Sequence, residues 1–206
     1  CDLDKVDLNK MDLTGVNLTE AILTNTNLTG AILRGTNLSS AKLIRAKLSS
    51  ADLTSANLTG ADLTDVDLTA AILRGTNLSR TDLSNRDFSG QDLTGVTLTE
   101  AILTNTNLIK ALLLGGDLRS VDLTDADLSA ANLTGANLTD ATLANTNLTG
   151  ATLRGTNLSH TDLAGRDFSG QDLTGVNLTE AILTDTNLTA TTLRGAKLSS
   201  AKLIRA

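Results

Sequence analysis

The chain has 206 residues, a formal net charge of −6 and 40% hydrophobic residues, with no proline, tryptophan or tyrosine, two phenylalanines, one histidine and one cysteine. No apolar run approaches the roughly 18 residues of a membrane helix, and the lone Cys1 excludes an intrachain disulfide. With almost no aromatic side chains to stack on bases, nucleic-acid binding is disfavoured.

From Leu3 to Leu203 every fifth residue is leucine, except Phe88 and Phe168, so a five-residue unit repeats 41 times without insertion. On an α-helix a step of five residues advances about 140° net and would spread the leucines around the cylinder. On a flat strand Leu3 and Leu8 would point to opposite faces. All can point inward only if the chain bends once per unit, each unit forming one side of a coil stacked on the next, which is a β-solenoid. Asn precedes the central leucine at Asn17, Asn37, Asn57, Asn77, Asn137, Asn157 and Asn177, with Thr97 and Asp117 interrupting the series. That twenty-residue rhythm predicts four sides per coil and a ladder of stacked amides along one side. About ten coils at a strand spacing of about 4.8 Å make a rod of roughly 50 Å.

Units such as Ala51-Asp52-Leu53-Thr54-Ser55, Ala56-Asn57-Leu58-Thr59-Gly60 and Ala61-Asp62-Leu63-Thr64-Asp65 resemble the pentapeptide-repeat family over the whole chain. The resemblance implies an all-β, right-handed quadrilateral β-helix, with the central Leu or Phe and the small residue two before it pointing inward. It also implies a binding or scaffold role without shared catalytic residues.

In chain order, Cys1 reads as a small residue filling an inward site, or alternatively as the lipid-bearing first residue of a processed lipoprotein. Ala21, Ala31, Ala41 and Ala51, Val6, Val16, Val66 and Val96, and Thr26, Thr36 and Thr76 suit the small inward site. Asp12, Asp52, Asp92 and Asp172 fall on alternate coils, with Arg34, Arg74, Arg154 and Arg194 on the coils between, which predicts ion pairs across coils. Arg86 and Arg166 break the small-residue rule, each followed by Asp-Phe-Ser-Gly-Gln-Asp-Leu. A buried guanidinium needs several partners. Arg86, Phe88 and Gln91, with Arg166, Phe168 and Gln171, therefore mark either a bulge, in which Arg satisfies carbonyls or Asp87 and Asp167 while Phe refills the volume, or a repeated docking feature.

These segments lie 80 residues apart, defining higher-order repeats 1–80, 81–160 and a partial 161–206 within one domain, 1–206. The end, Ala201 to Ala206, copies Ala41 to Ala46. With no initiator Met and no obvious capping element at either end, the chain reads as one piece of a longer array. Abundant sequons such as Asn17-Leu18-Thr19 would crowd the rod with glycans in a eukaryotic secretory route. This favours a bacterial chain and the cytoplasm over periplasmic, lumenal or extracellular settings.

Catalysis requires converging groups, whereas His160 and Cys1 lie at opposite ends of the rod, so no enzyme, metal or cofactor is expected. The leading functional reading is a structural or interaction scaffold that binds protein partners or stacks end to end. One alternative, drawn from the family, is a DNA-mimicking modulator of type II topoisomerase (gyrase). Another is a spacer in a larger multidomain or fibrous protein.

Overall fold

Each five-residue unit closes a tight turn, and the turns generate the corners. In the computed structural model, which describes residues 1–206, the Val6 N–H donates to the Leu3 carbonyl at 3.1 Å, and the same bond recurs along the chain. The residue two after the central position has positive φ in every unit, from Lys5 (59°) to Arg205 (56°), while the residue before it does not. That is the type II turn, whose third residue is left-handed. Fifteen of these corners are glycine and the other 26 are L-residues held at φ near +55° to +60°. At most of those 26 the surrounding ladder offsets an unfavourable local conformation, and at Asp65 and Ala70, where the ladder is absent, the corner bond alone remains.

Between corners the chain is extended, and bridges join residues twenty apart in parallel, from Asp2↔Ile22 to Ile182↔Lys202. Side one carries Asp2, Ile22, Lys42 and their successors. Side two carries Asp7, Asn27 and Lys47, side three Asp12, Ile32 and Asp52, and side four Asn17, Asn37 and Asn57. Cross-coil bonds such as Leu3 N–H to the Ile22 carbonyl (2.7 Å) and Ile22 N–H to the Cys1 carbonyl (2.9 Å) pair the extended segments. These bonds lie along the rod, so the side chains project either into the core or out to solvent.

The central leucines form a continuous core with the inward alanines and valines, fully buried over most of its length from Leu18 to Leu183. Phe88 and Phe168 take leucine positions within it and are 3% and 2% exposed. The inward threonines add a bond that alanine cannot. Thr26, Thr36 and Thr76 hydroxyls donate to the carbonyls of Leu3, Leu13 and Leu53, each 23 residues earlier, at 2.7–2.8 Å. Cys1, expected inside, is exposed, as are Val6 and Val16. The first coil packs on one neighbour only, so its small inward sites are covered from one side.

Candidate functional site: two arginine-held seams

Outward-facing Asp and Asn have a local task before any long-range one. The Thr14 N–H and hydroxyl both donate to Asp12 Oδ1, at 3.0 and 2.6 Å, and Thr59 does the same to Asn57 Oδ1 at 3.1 and 2.6 Å. This Asx turn fixes the corner that follows. It also explains why the predicted amide ladder is sparse. Among Asn17, Asn37, Asn57, Asn77, Asn137, Asn157 and Asn177, only Asn57 Nδ2 bonds to the previous amide, Asn37 Oδ1, at 3.3 Å. The other oxygens serve the N–H two residues on, as at Asn17, Asn77, Asn137, Asn157 and Asn177. The Asp/Asn-Leu-Thr/Ser spacing was the sequence signal for this role.

The same bonds shape the titration of the carboxylates. Burial works against ionised Asp52, but the Thr54 hydroxyl and amide, together with Arg34, outweigh it and hold the carboxyl below its ordinary range. The Thr69 hydroxyl and amide lower Asp67, Thr94 lowers Asp92, and the Arg119 side chain lowers Asp117. A folded-state pKa below the unfolded value gives stabilisation that is complete above about pH 4 and is lost as pH falls through the folded value. We therefore expect the melting temperature to be level from about pH 7 to 5 and to drop below about pH 4, with a smaller drop in Asp52→Asn, which keeps the Asx acceptor without the charge. A thermal series across that range checks this.

The predicted cross-coil ion pairs form at Arg34 to Asp52 (2.5 Å) and, more loosely, Arg74 to Asp92 (3.9 Å), but not at Arg154 or Arg194. Arg80 to Glu100 (2.9 Å) and Arg205 to Asp185 (2.6 Å) add pairs at corners. All involve a largely exposed arginine, so solvent and salt screen them and each adds little to stability.

The ladder is interrupted twice. Between residues 61–73 and 81–93, the bridges expected for Asp62, Asp67 and Ile72 with residues twenty later are missing, while Asn57↔Asn77 and Asn77↔Thr97 on side four are intact. The amides of Leu63, Asp65, Leu68, Ala70 and Leu73 on one lip, and of Asp82, Asp87 and Asp92 on the other, make none of their usual cross-coil bonds. On side four Gly75, Leu78 and Arg80 still donate to Thr94, Thr97 and Thr99 at 2.7–3.0 Å. The coils thus part like a hinge whose pin is side four and whose mouth is opposite, on side two. The same break recurs at Thr142, Asn147 and Thr152, with Asn137↔Asn157↔Asn177 intact.

Arg86 and Arg166 stand in these breaks. Arg86 Nη2 donates to the Leu63 carbonyl at 2.5 Å and Nη1 to the Val66 carbonyl at 2.7 Å. Leu63 lies 23 residues back, the register in which Thr26 bonds Leu3, and Val66 is the acceptor that the Asp87 N–H would use in a regular coil. The guanidinium replaces both short-range partners and bridges a wider gap. Arg166 does the same with Thr146 (2.6 Å) and Leu143. At the same seams the Thr81 and Thr161 hydroxyls turn from the previous coil to Leu78 and Leu158, three residues back.

Both guanidinia are half-buried, and neither has a carboxylate within ion-pair distance. Burial pushes their pKa down, opposed at Arg86 by the fields of Asp82 and Asp65 and at Arg166 by Asp162. Asp87 and Asp167 accept instead from the Ser89 and Ser169 N–H, at 2.9 and 2.8 Å. Gln91 and Gln171 occupy the next inward sites, half-buried, and Gln91 lines the opening at side two. The seam beside Arg86 opens into clefts of about 510 Å³ on side two and about 410 Å³ on side one, and that beside Arg166 into one of about 280 Å³. Nowhere do three His, Cys, Asp or Glu side chains converge to hold a metal, and no helix is long and apolar enough to cross a membrane.

The profile describing pentapeptide repeats matches in eight copies, over residues 1–39, 21–60, 31–69, 61–99, 71–108, 101–140, 131–170 and 172–206. Among solved structures, HetL, a pentapeptide-repeat protein involved in heterocyst differentiation regulation from the cyanobacterium Nostoc sp. strain PCC 7120, is 33% identical with a TM-score of 0.52, over 97% of this chain and 88% of its own. Rfr23, a pentapeptide-repeat protein from the cyanobacterium Cyanothece 51142, is 29% identical over 62% of this chain and 88% of its own (TM-score 0.42). QnrB1, a plasmid-mediated fluoroquinolone resistance protein, is 19% identical over 98% of this chain and 90% of its own (TM-score 0.46). No curated protein matches. The repeat profile along the chain, the twenty-residue parallel register and the likeness to HetL agree on a right-handed quadrilateral β-helix, and the chain belongs to the pentapeptide-repeat family.

Proposed function

We propose that the chain is a non-enzymatic interaction scaffold, a rod whose outward faces bind protein partners. The observation that carries this reading is side three, where Ile32, Ile72 and Leu112 are exposed on alternate coils between Asp52 and Asp92. The core does not need these residues, since they lie on the outside of an already closed coil. An exposed apolar row with charged neighbours is the composition of a protein-binding surface.

The test compares the chain with the triple variant Ile32→Asp, Ile72→Asp, Leu112→Asp. Because all three are surface positions, the melting temperature should hold within a few degrees. A partner captured in stoichiometric amount by the parent chain and lost by the variant supports the reading; identical capture by both removes it. Deletion of residues 101–120, one coil, should in turn shorten the rod without unfolding it, and collapse of the whole fold would count against a modular scaffold.

Side two favours a second reading. Its outward row contains Asp7, Asp67, Asp87, Asp127 and Asp167 against Lys47 alone, an acidic strip that could stand in for a nucleic-acid backbone toward a basic groove. A supercoiling assay with gyrase decides it: no effect at micromolar rod dismisses a topoisomerase target.

A further inference from the structure

The two seams leave something that a closed β-helix otherwise lacks, namely unpaired sheet edges in the middle of the rod. On side two of the first seam the upper lip presents the free N–H groups of Leu68 and Ala70. The lower lip presents the Asp87 and Ser89 carbonyls, which would accept those bonds in the regular register, as Asn27 and Thr29 accept from Leu8 and Lys10. Free N–H groups on one lip, and free carbonyls with the free Asp87 N–H on the other, are the chemistry of a missing strand, because an extended peptide is the ligand that supplies donors and acceptors in one row. An anion alone would satisfy the upper lip, and neither an anion nor a cation alone would satisfy the lower.

We propose that the Arg86 seam is a docking slot for an extended, basic segment of a partner protein, which pairs as an extra strand between the coils on side two. The proposal deepens the scaffold reading and rests on it. The slot lies at the mouth opposite the side-four pin, where the cleft of about 510 Å³ opens between Val66–Ala70 and Asn85–Ser89. Arg86 holds the neighbouring corner apart by bonding across it to Leu63 and Val66. A strand running parallel to the coils would repeat the register that regular coil pairs use. Every unit of residues 1–206 already lies in a coil, so none of these residues supplies the inserted strand.

Charge selects the class of segment. Asp67 and Asp87 line the side-two mouth, and Asp62, Asp65 and Asp82 line the adjoining opening on side one, against the single guanidinium of Arg86; Lys47 offsets Asp67 from the next coil. Alternate lysine or arginine side chains on an inserted strand would reach these carboxylates from the solvent edge. The Arg166 seam has the same broken ladder, but Asp167 is the only carboxylate lining its cleft. It therefore serves as an internal comparison, with the same backbone and little acidic field.

The probe is an acetylated and amidated peptide of alternating lysine and valine, added to the nitrogen-15-labelled chain, with amide exchange read residue by residue. Exchange at Leu68 and Ala70 is expected to slow by about tenfold at saturation. The slowing should be smaller at Leu148 and Gly150 of the second seam, and should weaken as salt rises to about 0.5 M. Alternate N-methylation of the peptide, which removes the donors along one edge of the strand and keeps its charge, should abolish the effect. The variant Arg86→Thr with Phe88→Leu, which gives that unit the Thr-x-Leu pattern of regular coils, should abolish it at the first seam only. No slowing at millimolar peptide, or equal slowing by the methylated peptide, overturns the slot. Either result leaves the scaffold reading to its own test on side three.

Discussion

Replacing Arg86 by Thr and Phe88 by Leu should stabilise the protein. The regular coils show what the closed seam would contain: Thr at this inward site bonds the carbonyl 23 residues back, as Thr76 does to Leu53 at 2.8 Å. The backbone then pairs on all four sides. Closing the Arg86 seam would engage the amides of Leu63, Asp65, Leu68, Ala70, Leu73, Asp82, Asp87 and Asp92. At roughly 0.5–1.5 kcal/mol net for each backbone bond, less about 1.5–3 kcal/mol for each of the two guanidinium bonds given up, the expected gain is about 3 kcal/mol. Burial of Arg86 already disfavours its charged form, so removing the guanidinium also removes a desolvated cation. Arg86→Thr alone should gain less, because Phe88 overfills a closed coil. Chemical denaturation measures the total, and amide exchange at Leu63, Leu68 and Leu73 locates it; unchanged exchange at these three would show that something other than Arg86 holds the seam open.

The seam also marks the limit of what the sequence disclosed. Five-residue leucine spacing was enough for a bend per unit, and the Asn rhythm was enough for four sides, because both follow from which positions must share a buried column. Arg86 and Arg166 stood out as exceptions to the same rule, and the carbonyls were among the partners considered for them. What could not be read was that the neighbouring ladder opens on three sides. That outcome depends on a competition between a long side chain needing room along the rod axis and eight backbone bonds, and a one-dimensional pattern does not rank the two. Asn17 and its counterparts stack in one column, as the twenty-residue rhythm implies, but bond along it only once, for a related reason. Stacking in register is visible as a period of twenty, whereas Thr19 two residues on offers a nearer donor, and the nearer bond forms.

Leu123→Ala should cost about 2–5 kcal/mol, the range for emptying a fully buried leucine site. Leu123 is 0% exposed, sits in the middle of the continuous core and lies between the two seams. A rigid coil cannot collapse onto the cavity, because its corners are fixed by the Asp122 to Thr124 turn (N–H 3.0 Å, hydroxyl 2.6 Å) and its sides by bonds from Leu103 to Asp122 and from Leu123 to Thr142. The same change at Leu8, in the half-covered first coil, should cost far less. Each coil bonds only its two neighbours, so the loss spreads coil by coil and weakens with distance. The seams should stop it. Across residues 61–73 to 81–93, and again across 141–153 to 161–173, the coils are coupled by side four and one guanidinium, with the loose Arg74–Asp92 pair added at the first, in place of a full ladder. Amide exchange in Leu123→Ala should therefore accelerate through residues 81–160, at Leu103 and Leu138 for example, while Leu43 and Leu53 beyond the first seam keep the parent rates. Equal acceleration on both sides would mean that the core leucines, continuous through the seam, couple the coils more strongly than the backbone does. It would also mean that opening the Arg86 slot has a cost felt along the whole rod.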